Sequence, residues 1–412
     1  MAKRKIIVIG GGASGLMAAG QAAKSGANVL LLEKMKRPGR KLCITGKGRC
    51  NITNITEITD FINHFGKKGQ FLRQAFSQYF SNDLMVLFEE QGLKLVKERG
   101  GRVFPASGKA PDVLEVFLKW LNQCKVKIKH SCRVRKLIIN NGCITSVVSN
   151  NETFPCDAVV LATGGASYPR TGSTGDGYRL AESAGHTVIP VRPALVPLET
   201  AGKIAGKMTD LNLRNINVQM FVNNKKRKEA FGELVFARFG VTGPVILTLS
   251  GDAVDALNNK NKVTLSIDLK PALSEQKLDN RLLRDFAKRG NEQISSILRG
   301  LLPREMVPVC ISLTGIPSAR KGGIITAEER KRLLTWLKDF RLEVTGYRPF
   351  DEAIVTAGGV DTREINPKTM ESLKTRGLFL AGEVIDINGD TGGYNLQAAF
   401  STGWLAGRAA AM

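Results

Sequence analysis

The sequence predicts a mixed α/β fold, in which a parallel sheet draws strands from both ends of the chain. Three observations predict it. Residues 4–10, RKIIVIG, form a continuous apolar run that ends at glycine, as a doubly covered parallel strand does. A second such run, GLFLAGE, lies near residue 380. Between them, from Pro190, the character changes to short strands and then to a basic helical stretch. At 412 residues the chain is too long for one core, so two or three domains are expected.

Taken in order, RKIIVIG is a strand, and SGLMAAGQAAKSG over residues 14–26 is a small-residue helix closed by Gly26. NVLLLE over 28–33 is the second strand of a βαβ unit. A glycine-rich basic loop runs from Lys34 to Asn54, and amphipathic helices are expected near 70–91 and over 111–123. KVKIKH, VRKLIIN, CITSVVS and DAVVLATGG then alternate as a β-meander and a return strand. NVQMFVN, GELVFAR and VTLSIDL make a β-rich insert interrupted by KKRK at 225–228. Residues 273–340 are helical and basic, with breaks at Pro303, Pro317 and Gly322–Gly323. No internal repeat is visible.

Composition excludes several classes. The first apolar run is too short for a signal peptide, and no stretch reaches the ~18 apolar residues of a membrane span. Seven cysteines, an odd number without a CxxC pair, read as reduced thiols of a cytoplasmic protein. Three scattered histidines argue against a histidine-based metal site or triad, so no metal is expected. Lys plus Arg total 60 against 37 acids, a net charge of +23, which fits either a solubilising surface or a polyanionic partner, most naturally RNA.

Gly10-x-Gly12-x-x-Gly15 follows a strand and opens a helix. Its glycines allow a tight turn, close approach of a pyrophosphate, and helix–strand packing, while Ala13 and Ser14 place free amides at the helix start. Glu33 ends the second strand eighteen residues after Gly15, where a carboxylate accepts ribose hydroxyls and repels a 2′-phosphate. That selects FAD or NAD over NADP. The absence of a second fingerprint and the small residues Ala162, Thr163 and Gly164 after a strand favour one resident, extended FAD. Near the C-terminus, Gly382, Glu383 and Asp386 lead into Gly392-Gly393-Tyr394-Asn395-Leu396, a helix start able to face an anionic group such as reduced flavin.

These blocks, with GRKLCITGKGRCNITN, GRVFPASGKAPDV, GELVFARFGVTGPVIL and TAGGVDTREINPKTMES, resemble the BaiN/YhiN-like flavoprotein family over nearly the whole chain. The resemblance implies a Rossmann-type FAD-binding domain of the glutathione-reductase type, over 1–192 and 346–412. It further implies a β-barrel-like insert over 193–272 and 336–345, and a helical subdomain over 273–335. Where many relatives carry Thr-His, this chain has Ala237-Arg238, and Thr242 replaces a serine, so no histidine role carries over. In related flavin domains the basic loop follows the pyrophosphate toward the flavin. Arg40, Lys41 and Arg49 are then candidates to balance phosphate charge, with Lys34, Thr45, Gly46 and Val134 as further cofactor contacts. Cys50 and Asn51 are the candidate catalytic pair, Cys50 as proton donor or as a thiol acidified by its basic neighbours. Thr356–Val360 resembles a loop beside the flavin, and Thr391 and Asn395 are candidate polar contacts to the ring. The FAD is expected to be tight and non-covalent, with NAD(P)H as external donor.

The family resemblance implies reduction of activated carbon–carbon double bonds, in steroid-like molecules or in uridine of ribosomal RNA. Charge separates the two. From Lys34 to Arg49 there are seven basic residues and no acid, and from Lys119 to Lys136 seven more, again without an acid. The expected function is therefore reduction of a uridine in large-subunit (23S) ribosomal RNA to dihydrouridine, with hydride to C6 and a proton to C5. A small-molecule enone reductase, and an RNA-binding assembly factor that keeps FAD for structure, are the alternatives.

Overall fold

The computed structural model describes residues 3–150 and 152–412. It divides into two compact units. One comprises the chain up to Ala194 together with Phe350–Met412, and the other is Leu195–Pro349.

The first unit is built on a five-stranded sheet in the order Leu378–Leu380, Ala158–Leu161, Lys5–Ile9, Asn28–Leu32, Lys127–Lys129. Every pairing in it is parallel. Ile6 to Ile9 are buried, as are all four residues of Ala158–Leu161 and all three of Leu378–Leu380. Each such aliphatic side chain contributes about 1.5–3 kcal/mol by leaving water, which explains the unbroken apolar runs. Because the strands are parallel, their carboxyl ends lie along one edge. The loops that follow residues 9, 32, 161 and 380 therefore emerge together there.

Two local expectations change. Lys127–Lys129, expected in the meander, pairs instead with Leu30–Leu32 as the edge of the parallel sheet. The meander comprises Val134–Asn140, Cys143–Ser149 and Glu152–Pro155, the last of which the apolar pattern does not mark. The helix expected near 70–91 is broken into Arg73–Gln78 and Ser81–Glu90. The Phe80 N–H donates to the Asp83 carboxylate at 2.8 Å, which starts a new helix where the old one would have continued.

The helix Ala13–Lys24 packs along Tyr394–Ala411. The two backbones approach so closely that a Cβ on Gly403 would lie 2.3 Å from the Ser14 carbonyl oxygen, and one on Gly407 2.3 Å from that of Ala18. The amino-terminal βαβ unit and the carboxyl-terminal helix are thus joined backbone to backbone.

The second unit is a closed six-stranded barrel with helices. Its strand order is Leu198–Thr200, Gly240–Thr242, Lys225–Ala237, Asn212–Val222, Val263–Asp268, Phe340–Tyr347. KKRK, expected to interrupt the strands, opens the long strand Lys225–Ala237 and pairs with residues 220–222. The solvated face of a barrel strand tolerates these charges. Helix Pro244–Asn258 packs on the barrel. The helices Glu275–Lys288, Met306–Thr314 and Ala327–Lys338 share one apolar cluster with it, including Leu265, Ile267, Leu278, Leu282, Leu333 and Phe340. Among the described residues, no helix is long and apolar enough to cross a membrane.

The helix-to-helix contact yields a stability prediction. Gly407→Val inserts a branched side chain against the Ala18 backbone and is expected to destabilise the first unit by about 1–3 kcal/mol, seen as a lower thermal midpoint. An unchanged midpoint would contradict the close packing.

Candidate functional site

The site forms along the carboxyl edge of the parallel sheet. Gly10 to Gly12 turn from the first strand into the helix Ala13–Lys24, whose N-terminus carries no capping side chain. Its first amides are therefore open to an anion. Gly15 is required by the fold, because a Cβ there would lie 1.9 Å from the Gly10 carbonyl oxygen. Gly12 is different. Its φ of −83° suits any residue, and a Cβ there would meet nothing within 4 Å. Nothing in the chain demands a glycine at that position, and the space beside it is open for a group to approach the backbone.

Glu33 is buried, and its two carboxylate oxygens accept the N–H groups of Gly11 and Met35, each at 2.7 Å. The carboxylate is thereby fixed at the strand end with lone pairs left for hydroxyl donors. Beyond it, Lys34, Arg133 and Arg179 converge on Asp176 at 2.8, 2.5 and 2.8 Å. Burial opposes ionisation of Asp176, but the hydrogen bonds and charges of Lys34 and Arg133 outweigh it and hold the carboxyl well below its usual range. These residues, with Met35 and Thr174, line a surface cavity of about 420 Å³. Val134 itself is buried at the head of the first meander strand.

At the other end of the edge, Glu383 is a hub. It is ion-paired with Lys41 and accepts from Ser167 Oγ at 3.1 Å, from the Gly165 N–H at 3.2 Å and from the Thr356 N–H at 2.8 Å. Thr356 Oγ1 in turn accepts the N–H groups of Ala166 and Ser167. This network ties the 163–167 loop, the strand Val355–Val360 and the 381–386 loop together. Sequence spacing does not show it, since Lys41 and Glu383 are 342 positions apart. No motif marks Ser167 in advance.

The expected site residues fall into two groups. Gly10, Gly12, Ala13, Ser14, Glu33, Ala162, Thr163, Gly164, Gly382 and Asp386 lie in the edge loops or at their helix start. The cations of the basic loop are largely engaged elsewhere. Lys41 neutralises Glu383, and Arg49 is ion-paired with Glu98 and lies 4.2 Å over the Phe104 ring. Arg40 is exposed, and Thr45 Oγ1 donates to the Leu42 carbonyl at 2.7 Å. At the start of the last helix, Gly393 adopts φ +100° without a capping side chain. Asn395 uses its amide on Gly389 and Asp390, so it holds the preceding loop. Tyr394 is buried and stacks on His64 at 3.8 Å, with its ring edge on Phe61. His64 Nδ1 lies 2.9 Å from the Asp390 carboxylate, a contact that the scattered histidines of the sequence do not reveal.

Cys50 requires a correction. The expected acidified thiol is absent. The residue is fully buried, with φ +57°, and burial pushes its pKa up to about 12. At neutral pH it stays protonated. Asn51 Oδ1, Thr163 Oγ1 and Asp386 Oδ1 are buried without a hydrogen-bond partner. Asp386 is also ion-paired with Lys68 through its other oxygen. Unpartnered buried polar atoms in the loops of this unit, with an uncapped helix N-terminus at the open Gly12 turn, are what a long polar cofactor satisfies, so the residues present fit a dinucleotide.

The HI0933-like protein Rossmann domain matches residues 4–409. This chain belongs to the HI0933-like Rossmann family. By family it is an FAD-dependent oxidoreductase with a Rossmann-type domain. A 3-dehydro-bile acid delta(4,6)-reductase from Clostridium scindens is 34% identical over 414 residues, covering 99% of each chain. A ribosomal RNA dihydrouridine synthase from Haemophilus influenzae is 31% identical over 401 residues, 97% of this chain and 96% of that one. Among solved structures, the open conformation of a flavocytochrome c3 fumarate reductase superposes with a TM-score of 0.53 at 18% identity, covering 99% of this chain and 78% of that one. That likeness concerns the fold alone.

Two predictions test the site. Gly12→Val is expected to keep the thermal midpoint of the wild-type apoprotein when both are stripped of flavin, yet to bind flavin about ten-fold or more weakly, read from the visible absorbance of the purified protein. Full flavin occupancy in that variant would remove Gly12 from the site. In the folded protein Cys50 is expected to resist iodoacetamide at about pH 8 and to react once unfolded, because the thiolate is the nucleophile. Rapid labelling of native protein, read by mass spectrometry, would contradict its burial.

Proposed function

We propose that this protein reduces the C5=C6 bond of a uridine in large-subunit ribosomal RNA to dihydrouridine. The observation that carries the reading is the net charge of +23 on a chain that matches ribosomal RNA dihydrouridine synthases from two bacteria over 97% of its length. A polyanionic substrate accounts for that excess, whereas an apolar enone does not. FAD, once bound, supplies the hydride chemistry, and NAD(P)H serves as the external reductant. The net reaction is NAD(P)H + H+ + uridine → NAD(P)+ + dihydrouridine: the C5=C6 π bond, the reductant's C–H bond and the proton donor's bond to hydrogen break, and a C6–H bond (from the hydride) and a C5–H bond (from the proton) form.

The chain's own residues bind and orient. The open turn at Gly12 and the first amides of the helix Ala13–Lys24 receive the pyrophosphate, and Glu33 receives ribose hydroxyls. Asn51, with an unpartnered buried Oδ1, meets the cofactor or the base edge. The proton at C5 is assigned to the 45–51 loop, where Cys50 is protonated at neutral pH. Because its thiol is fully buried, delivery requires that loop to move. The left-handed backbone at Lys47 and Cys50, neither of them glycine, is local strain stored in that loop.

A second reading rests on the 34% identity to a bile acid reductase: saturation of a small-molecule enone by the same hydride chemistry. Nucleoside mass spectrometry of ribosomal RNA, with and without the gene, separates the two. The expected outcome is loss of dihydrouridine at one site in the deletion strain. If every dihydrouridine is retained and an enone, but not RNA, stimulates NADH oxidation, the second reading replaces the first.

A further inference from the structure

The second unit carries a row of four cations, three of which form no ion pair among the described residues. Lys277, Arg281, Arg284 and Lys288 occur at steps of four, three and four residues on the helix Glu275–Lys288. That spacing puts them on one face, over about 16 Å of helix axis. Lys277, Arg284 and Lys288 are exposed, and among the described residues they form no ion pair. Among the described residues, the acids of this helix answer only Arg281 of the row, so the other three cations keep no carboxylate partner. Asp279 faces Arg330 at 2.8 Å, and Asp285 lies 3.6 Å from Arg281. Arg281 also donates to the Gly300 carbonyl at 3.3 Å. Lys277, Arg281 and Arg284, with Leu273, Asn280 and Asp285, line a surface hollow of about 570 Å³.

The opposite face explains why the row points outward. Leu278, Leu282 and Phe286 are buried in the barrel–helix core and fix the helix's rotation. Lys270 adds to the positive field nearby. Burial first, and the neighbouring Arg281 charge second, push its ammonium below the ordinary lysine value. Like charges held this close raise the folding free energy unless an anion is present. The row is linear rather than clustered, so it suits several anionic groups in succession, as along a nucleic-acid strand, better than one small anion.

We propose that the face of helix Glu275–Lys288 bearing Lys277, Arg281, Arg284 and Lys288 is a docking surface for the sugar–phosphate backbone of the RNA substrate. This rests on the uridine-reductase reading above. It assigns to the inserted unit a role in holding RNA by its phosphates, without reading sequence.

The test uses the full-length flavin-loaded protein and in vitro transcribed large-subunit ribosomal RNA. The triple variant Lys277→Glu/Arg284→Glu/Lys288→Glu is compared with Lys119→Glu/Lys125→Glu/Lys127→Glu, an equal charge change on exposed residues of the first unit. Bound flavin and thermal midpoint serve as folding controls. The expected result is a rise in Kd of roughly 10–100-fold for the first triple only. The slope of log K against log salt should also fall by about three, at ~0.9 for each phosphate that is no longer neutralised. Reduction of a free enone or uridine mononucleotide by the first triple should stay at the wild-type rate. Equal weakening in both triples, or none in the first, overturns the docking surface and leaves the reductase reading intact. Wild-type protein that fails to bind the RNA overturns both.

Discussion

The interaction on which the site depends is the backbone approach of helix Ala13–Lys24 to helix Tyr394–Ala411. Glycines at 403 and 407 allow it, and no other residue type fits without displacing a carbonyl. Through it the open turn at Gly12 and the turn at Gly393 belong to one rigid frame, although some 380 residues separate them. A parallel sheet with its carboxyl ends along one edge does the remainder, since four loops emerge there side by side. An orienting surface for an extended cofactor follows from sheet direction and helix spacing, before any polar group is counted.

The electrostatics divide into spent and unspent charge. Around the cofactor edge, Lys41 faces Glu383, Lys68 faces Asp386, Arg49 faces Glu98, and three cations share Asp176. These pairs shape loops, so the seven basic residues between Lys34 and Arg49 overstate the positive field available to a ligand. On the helix Glu275–Lys288 the balance is reversed, because its buried side is apolar, Asp279 faces Arg330 and Asp285 answers only Arg281 of the four cations.

Much of the first unit is legible in the sequence because its strands are continuous apolar runs and its turns are glycines. The βαβ unit, the return strand and the terminal strand and helix all follow from periodicity and punctuation. What escapes depends on pairing across long separations. Lys127–Lys129 has no pattern that distinguishes a meander strand from a sheet edge, and its parallel pairing with Leu30–Leu32 decides the matter. KKRK reads as a loop because charge outweighs strand propensity locally, yet the barrel carries it on a solvated face. In the site, Gly10 to Gly15 and Glu33 are legible from spacing alone. Cys50 misleads because its basic sequence neighbours suggest an acidified thiol, whereas burial keeps the thiol protonated. The Glu383 hub and the His64–Asp390 pair are invisible for the same reason, since their members are hundreds of residues apart.

The interruption of the first unit by Leu195–Pro349 orders events during synthesis. The intervening unit is a contiguous segment with its own apolar core, so it can complete itself while the earlier strands still lack their edge partner Leu378–Leu380. Until that strand and the helix after it leave the ribosome, the turn at Gly12 has no counterpart, and the nascent half-sheet exposes an unpaired strand. The first unit is therefore completed late in biogenesis, and a chain truncated before residue 378 would retain the contiguous barrel unit but lack the strand and helix that close the parallel sheet's edge.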